Sequence, residues 1–303
     1  MQKFYSNGKL LLSGEYVVLD GANSLAIPTK YGQSLTVEPI DEPIISWKSL
    51  DEKGFEWFNG TFKFSDSEIL KPMQDDDTTI RLLQILKAAK QLNPNFLNSN
   101  SGYNITTTLD FPRNWGLGTS STLINNVAQW AKVNAFKLLD LTFGGSGYDI
   151  ACAQNNNPIS YQILNNTVFI NLQEFNPEFK EHLYFVHLNK KQNSREGIAH
   201  YRAQDKENVK TVISEINTIT SKMINCDSLD EFESLINQHE FLIAKITKQT
   251  PVKGLLFNDF NGSIKSLGAW GGDFVLATSK AHSINYFINK GYKTIIPYTE
   301  MIL

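Results

Sequence analysis

A chain of 303 residues is too long for one small core and fits two domains of ordinary size, or one large one. Its 41% hydrophobic and 19% charged residues are those of a folded globular protein, which excludes a disordered or fibrous class. A formal net charge of -3 supplies no broad cationic field, so bulk electrostatics disfavour duplex nucleic acid and any bound anion has to be caught locally.

Short apolar runs alternate with turns over the first forty residues: Lys9 to Ser13, Tyr16 to Leu19, Leu25 to Ile27 and Ser34 to Val37, with Gly14, Gly21 and Gly32 between them. This predicts a strand-rich opening. The aromatic stretch from Ile44 to Phe64 predicts a two-stranded ribbon over the sheet, with Asn59-Gly60 as its hairpin signal. After Asp75-Asp76-Asp77, the one-face spacing of Leu82, Ile85, Leu86 and Ala89 predicts a helix over Thr78 to Gln91, stopped by Asn93-Pro94-Asn95. Tyr103 to Leu109 alternates as a half-buried strand and runs into Phe111-Pro112. Leu123, Val127, Trp130 and Ala131 predict a helix over Ser120 to Leu138, and a further helix begins near Tyr148 to Ala153.

Beyond about residue 175 the pattern is a strand at His182 to Leu188 and then two long amphipathic helices. The first carries Val209, Val212, Ile213, Ile216 and Ile219 on one face. The second opens with Ser228 and Glu231 as a capping box and places Phe232, Leu235, Ile236 and Ile243 inward. A strand at Phe274 to Ala277, a helix from Ser279 to Asn289 ended by Gly291, and a strand near Lys293 to Pro297 complete an α/β sandwich.

Three glycine-rich loops carry the candidate chemistry. In Pro112 to Ser121, Gly116 and Gly118 let backbone approach a ligand, and the helix that follows offers unpaired N–H groups and a positive dipole end. The hydroxyls of Thr119, Ser120 and Ser121 suit phosphate oxygens or a magnesium ion. A plain turn with a helix cap uses the same residue types, and without a lysine after the last glycine this is no Walker A loop. In Gly144-Gly145-Ser146-Gly147-Tyr148-Asp149, the carboxylate accepts a proton from a substrate hydroxyl, orients that hydroxyl, or caps a helix. Gly268-Ala269-Trp270-Gly271-Gly272-Asp273 precedes a strand, and its glycines permit close packing against another loop.

Together and in this order the residues resemble the GHMP kinases, a superfamily named for galactokinase, homoserine kinase, mevalonate kinase and phosphomevalonate kinase. Gly8 to Leu19 looks like the family's first motif. Gly116-Leu117-Gly118-Thr119-Ser120-Ser121 is similar to its GLGSS phosphate loop, Ser146-Gly147-Tyr148-Asp149 matches its SGxD segment, and Gly268 to Asp273 looks like a shortened third motif. The resemblance implies an α+β fold of two domains, with a nucleotide-binding domain like ribosomal protein S5 domain 2 over 1–172 and a ferredoxin-like α/β sandwich over 173–303. It implies Lys9 and Asp149 as catalytic residues, Gly116 to Ser121 as the ATP phosphate loop, and Glu15, Tyr16, Ser146, Gly147, Gly271 and Gly272 as substrate contacts. The run Asn189 to Arg195 resembles the loop that brings a serine or threonine to the substrate, which adds Ser194 and Arg195; its cations suit an anionic acceptor or, equally, a solvated basic turn.

Gly14-Glu15-Tyr16 and Gly147-Tyr148-Asp149-Ile150-Ala151 look nearer to phosphomevalonate kinases than to mevalonate kinases. Where mevalonate kinases carry a glutamate for magnesium, Phe136 to Gly145 offers only Asp140, so Ser120 and Asp140 are the expected Mg2+ residues. Trp270 makes the third motif bulkier than the family's. The expected partners are ATP and a small-molecule substrate, with no nucleic acid, because no basic patch interleaves with aromatics, and a monomer or homodimer is expected. Cys152 and Cys226 have no metal-site or CxxC spacing, no secretion signal is visible, and no run approaches the roughly 20 apolar residues of a membrane span. A cytoplasmic enzyme with reduced thiols and no membrane partner is therefore expected.

Overall fold

The computed structural model describes residues 1–64, 69–72, 76–97, 102–279 and 284–303, with backbone alone for 69–71. Contacts group them into two compact units that interleave along the chain. The first takes residues 1–8, 31–113 and 117–154, and the second takes 9–30, 114–116 and 155–303.

Two long strands, β1 (Gln2–Leu11) and β2 (Ser24–Ile40), pair with each other and contribute residues to both units. β2 does not break at Gly32, because a Cβ there would lie 2.3 Å from the Ser6 carbonyl oxygen; the glycine admits close approach inside a strand, where a turn was expected. Tyr16 to Leu19, expected as a strand, is a bend followed by one turn of 3-10 helix at Val17–Asp20, closed by Gly21 at φ 96°.

The first unit adds β3 (Ile44–Leu50), β4 (Glu56–Phe64), β5 (Ile69–Pro72), α1 (Asp77–Leu92), β6 (Gly102–Leu109), α2 (Thr119–Ala131), α3 (Ala135–Asp140) and α4 (Tyr148–Gln154). The strand order is β5-β4-β3-β6-β2, with β3 parallel to β6 and the other pairs antiparallel. The aromatic ribbon is therefore part of the sheet and not a cover over it. Its hairpin turn is at Asp51, whose carboxylate accepts from the Lys53 and Phe55 amides at 3.0 and 2.8 Å, and not at Asn59-Gly60. Gly60 instead lies opposite Trp47, where a small residue leaves room for the buried indole.

α1 starts at Asp76, which accepts from Thr78 and Thr79; Asp75 lies outside the described residues. Its predicted face, Leu82, Ile85, Leu86 and Ala89, is buried in one cluster with Trp47, Phe62, Ile105, Ile124 and Val127. Each fully buried large apolar side chain there contributes roughly 1.5–3 kcal/mol. The single helix expected over Ser120 to Leu138 is two, because Lys132 turns left-handed at φ 55° and Asn134 caps α3 by accepting from the Lys137 amide.

The second unit adds β7 (Ile159–Leu164), β8 (Thr167–Leu172), β9 (Leu183–His187), α5 (Ser194–Arg202), α6 (Val209–Ile224), α7 (Leu229–Thr247), α8 (Val252–Leu256), β10 (Ile264–Ser266), β11 (Phe274–Thr278), α9 (Ile284–Asn289), β12 (Ile295–Pro297) and α10 (Tyr298–Met301). β7 continues antiparallel from Ser24 to Ala26 of β2, and β8 follows β7. The second sheet has the order β10-β11-β9-β12 with all pairs antiparallel, which is the ferredoxin-like arrangement expected for the C-terminal part. α6 and α7 bury the expected Val212, Ile216, Ile219, Phe232, Leu235, Ile236 and Ile243. Ser228 is the N-cap of α7, but its side chain makes no capping hydrogen bond. Of the helix expected from Ser279, residues 280–283 lie outside the described residues. Both cysteines are buried free thiols.

Candidate active site

Within the second unit, Lys9 leaves β1 and donates from Nζ to the Gly116 carbonyl at 3.2 Å. Gly116 is left-handed at φ 68°, and a Cβ on it would fall 2.2 Å from the Asp273 carboxylate. The same carboxylate accepts from the Gln192 amide at 3.1 Å, while the Asp273 main chain bonds to the Lys190 carbonyl and the Leu188 amide at 2.7 and 2.8 Å. Asp273 thus joins the start of the phosphate loop, the third loop and the cationic run after β9. Burial is the main cause that raises its pKa; the Gln192 hydrogen bond and the charges of Lys9 and Lys191 oppose the rise. Trp115 meets Phe274 edge-on at 5.4 Å, and the His187 ring nitrogen lies 3.1 Å from the Asn114 carbonyl, which fixes Asn114–Gly116 against the tip of β9 and β11.

The third loop was expected to pack closely. Gly272 does so, since a Cβ there would meet Gln192 at 2.8 Å. Gly268 and Gly271 have positive φ and open space beyond them, so their glycines serve backbone conformation. Trp270 is buried. The cations Lys190, Lys191 and Arg195 are exposed, and Ser194 opens α5 behind the N-cap Asn193.

The first motif closes on a buried charged cluster. Glu15 has no exposed surface, so it is not placed as the substrate contact expected of it. Its Oε1 accepts from Lys265 Nζ at 2.5 Å, and its Oε2 faces His239 Nε2 at 3.2 Å. Lys265 is itself fully buried and lies 3.3 Å from Glu240 Oε1. Burial pushes the Glu15 carboxyl up to about 7 against the opposing pull of Lys265. Burial, and then the Lys265 charge, hold His239 well below the ordinary histidine value, so it is neutral and accepts from the Gly14 amide at 2.9 Å.

In the first unit, α2 begins on Gly118 at φ 95° with no side chain capping it, so the helix itself supplies no acceptor for its first-turn amides. Ser120 is exposed there, whereas the Ser121 hydroxyl is committed to the Gly118 carbonyl at 2.8 Å. Behind this turn Thr122 donates to Gln33 Oε1 at 2.8 Å, and Asn126 donates to the Gln33 carbonyl at 2.9 Å and accepts from Ser6 at 2.7 Å. Asn125 donates to Ser6 and accepts from Gln154 at 2.9 Å each, which ties α2 to α4, the helix that carries Asp149 in its first turn. Gly144, Gly145 and Gly147, all at positive φ, lead into α4. Asp140 ends α3 as an exposed residue. Among the described residues no group of three or more His, Cys, Asp and Glu side chains could hold a metal ion.

The predicted residues thus form two groups. Lys9, Gly116, Tyr16, Ser194, Arg195, Gly271 and Gly272 belong to the second unit, and Leu117 to Ser121, Asp140, Ser146, Gly147 and Asp149 to the first. Sequence reasoning missed the residues behind them: Lys265, His239 and Glu240 in one unit, Gln33, Asn125, Asn126 and Gln154 in the other. Only a polar residue on an otherwise apolar face marks such positions, as Asn125 and Asn126 do amid Ile124, Val127 and Ala128.

No protein-family model matches the chain, and none of the curated proteins matches it. Solved structures do. Phosphomevalonate kinase of Streptococcus pneumoniae, in complex with phosphomevalonate and AMPPNP, is similar at 14% identity over 97% of this chain and 99% of its own, with a TM-score of 0.70. Mevalonate kinase of Methanococcus jannaschii matches at 17% over 97% and 96%, with a TM-score of 0.69. Galactokinase of Lactococcus lactis, complexed with galactose, matches at 13% over 95% and 88%, with a TM-score of 0.67. The chain has the two-domain α+β GHMP kinase fold with two sheets. No helix among the described residues is long and apolar enough to cross a membrane.

Proposed function

We propose that this chain is an ATP-dependent small-molecule kinase that transfers the γ-phosphoryl group to an isoprenoid-precursor acceptor, with phosphomevalonate favoured over mevalonate. The observation that carries the reading is the start of α2: a left-handed glycine and no capping side chain leave its first-turn amides for an anion, and one buried network anchors both that turn and Asp149's helix. Gly116 to Ser121 bind the nucleotide phosphates. Lys9 neutralises charge on the moving group, and Asp149 acts on the acceptor oxygen chiefly by orientation and charge placement, more than by taking a proton.

Exposed Ser120 and Asp140 offer a hydroxyl and a carboxylate, the oxygen donors that suit magnesium, and they are the residues that would hold it. Bound magnesium supplies neutralisation of polyphosphate charge. Lys190, Lys191, Arg195 and Ser194 hold the acceptor's anionic group, which favours a phosphorylated acceptor over a neutral sugar. Ser146, Gly147, Tyr16, Gly271 and Gly272 are the further residues assigned to the substrate.

The test is transfer from γ-labelled ATP with magnesium to phosphomevalonate, mevalonate, homoserine and galactose, with products identified by mass. Preferred labelling of phosphomevalonate is expected; labelling of another acceptor alone replaces the substrate and keeps the reaction. A second reading is a nucleotide-binding relative without turnover, favoured by the shortened third motif with the buried Trp270 among its glycines. Binding of ATP with no transfer to any acceptor selects that reading, and no nucleotide binding at all refutes both.

A further inference from the structure

Tyr16 is held at φ 65° and ψ -53°, with the Val17 amide bonded to the Glu15 carbonyl at 2.8 Å. That is a γ-turn of the rare, strained hand, and an aromatic residue occupies it where glycine would be at ease. Such a conformation persists only when its surroundings over-determine it. Here they do. Ahead of the turn, the Gly14 amide donates to His239 Nε2, and Ser24 fills the space of a Gly14 side chain. At the turn, Glu15 takes the Lys265 ammonium on Oε1 and faces His239 with Oε2. Lys265 is oriented in its turn by the Ser266 carbonyl at 2.6 Å and by Glu240, which accepts from the Ser266 hydroxyl at 2.7 Å. After the turn, Val17 and Val18 are buried, and the Val18 amide returns to the Gly14 carbonyl.

Apolar residues would stabilise such a pocket at least as well as buried charges, whose desolvation is costly; directional charges add orientation. What they orient is on the far side of the turn. The Tyr16 ring packs on Tyr201 at 5.5 Å, and its hydroxyl abuts Gly197, where a Cβ would come within 2.9 Å of it. Gly197 and Tyr201 are both on α5, and the Tyr201 hydroxyl donates to Asp20, just past the turn.

We propose that Lys265, backed by Glu240 and His239, is a positioning residue that acts through Glu15 to hold Tyr16 in its strained turn, and that Tyr16 thereby sets the first turns of α5 with Ser194 and Arg195. What α5 contacts rests on the kinase reading above; the coupling from Lys265 to α5 does not.

Hydrogen–deuterium exchange on the full chain tests the coupling without turnover. In Lys265→Met and in Glu15→Ala, the Val17 amide and those of residues 194–202 are expected to exchange about tenfold faster, with α2 and β6 unchanged, and Glu15→Gln, which keeps the acceptor oxygen and the shape, restores slow exchange. In the transfer assay the same two variants raise KM for the acceptor about tenfold and leave KM for ATP alone. Wild-type exchange at Val17 and α5, or faster exchange spread evenly over the chain, overturns the proposal. Should Lys265→Met fail to fold, Glu15→Ala against Glu15→Gln decides it. If the wild type transfers to no acceptor the kinase reading fails, and the exchange pattern still decides the coupling.

Discussion

Replacing Glu15 by glutamine isolates the energetics of the buried cluster. With both carboxyls ionised, Lys265 faces Glu15 and Glu240, and the neutral His239 adds nothing, so the cluster carries a net charge of about -1 where charge is hardest to bury. One retained proton balances it, in keeping with the rise of Glu15 to about 7 and of Glu240 in the same direction, both caused first by burial. The unfolded chain releases that proton near pH 4.5 and the folded chain near 7. The raised carboxyl therefore contributes stability that is fully present below its unfolded pKa and is lost as pH rises through its folded pKa. At about 1.4 kcal/mol per pKa unit, the loss across this window is on the order of 3 kcal/mol, shared between the two coupled carboxyls.

Glutamine is neutral at every pH and leaves Lys265 with Glu240 as a balanced pair, while the His239 contribution is common to both proteins and cancels. Glu15→Gln is thus expected to match the wild type near pH 5 and to exceed it at pH 8 by a margin that approaches that figure. Urea melts followed by tryptophan fluorescence at pH 5, 6, 7 and 8 measure the gap. A gap that stays constant with pH, or a wild type that gains on the variant toward pH 8, refutes the reasoning, because the ion pair would then outweigh the cost of burial.

Three further outcomes follow from the same geometry. Asp149→Asn lowers kcat by roughly 10²–10⁴-fold while ATP affinity, measured by nucleotide titration, stays within about twofold. Asp273→Asn keeps an acceptor for the Gln192 amide but removes the carboxylate charge from Gly116, so ATP binds several-fold tighter, a change of about 1 kcal/mol that isothermal titration detects; unchanged or weaker binding removes Asp273 from the nucleotide's surroundings. Asn126→Leu leaves the Ser6 hydroxyl and the Gln33 carbonyl without their buried partner and costs about 2–4 kcal/mol in chemical denaturation.

Periodicity placed α1, α6 and α7 to within a few residues, because their apolar faces repeat at the helical spacing over four or more turns and bury as spaced. It failed where a side chain or a single backbone conformation competes with propensity. Asn134 and a left-handed Lys132 divide one apolar run into α2 and α3, and Asp51 takes the hairpin that Asn59-Gly60 advertises. Helix α5 was missed because Ser194 to Arg202 buries little more than Gly197 and Tyr201, too few positions to show a period.

By itself the sequence determined the long helices α1, α6 and α7 and the three glycine-rich loops, since apolar period, caps and glycine act within a dozen residues of chain. Only the tertiary structure decided that Lys9, Gly116, Asp273 and Gln192 meet in one unit, and that Glu15 is closed off against Lys265, 250 residues away. The reason is physical: a buried charge is worth what its partners make it, and partners brought together by strand pairing and helix packing leave no local signature at either end.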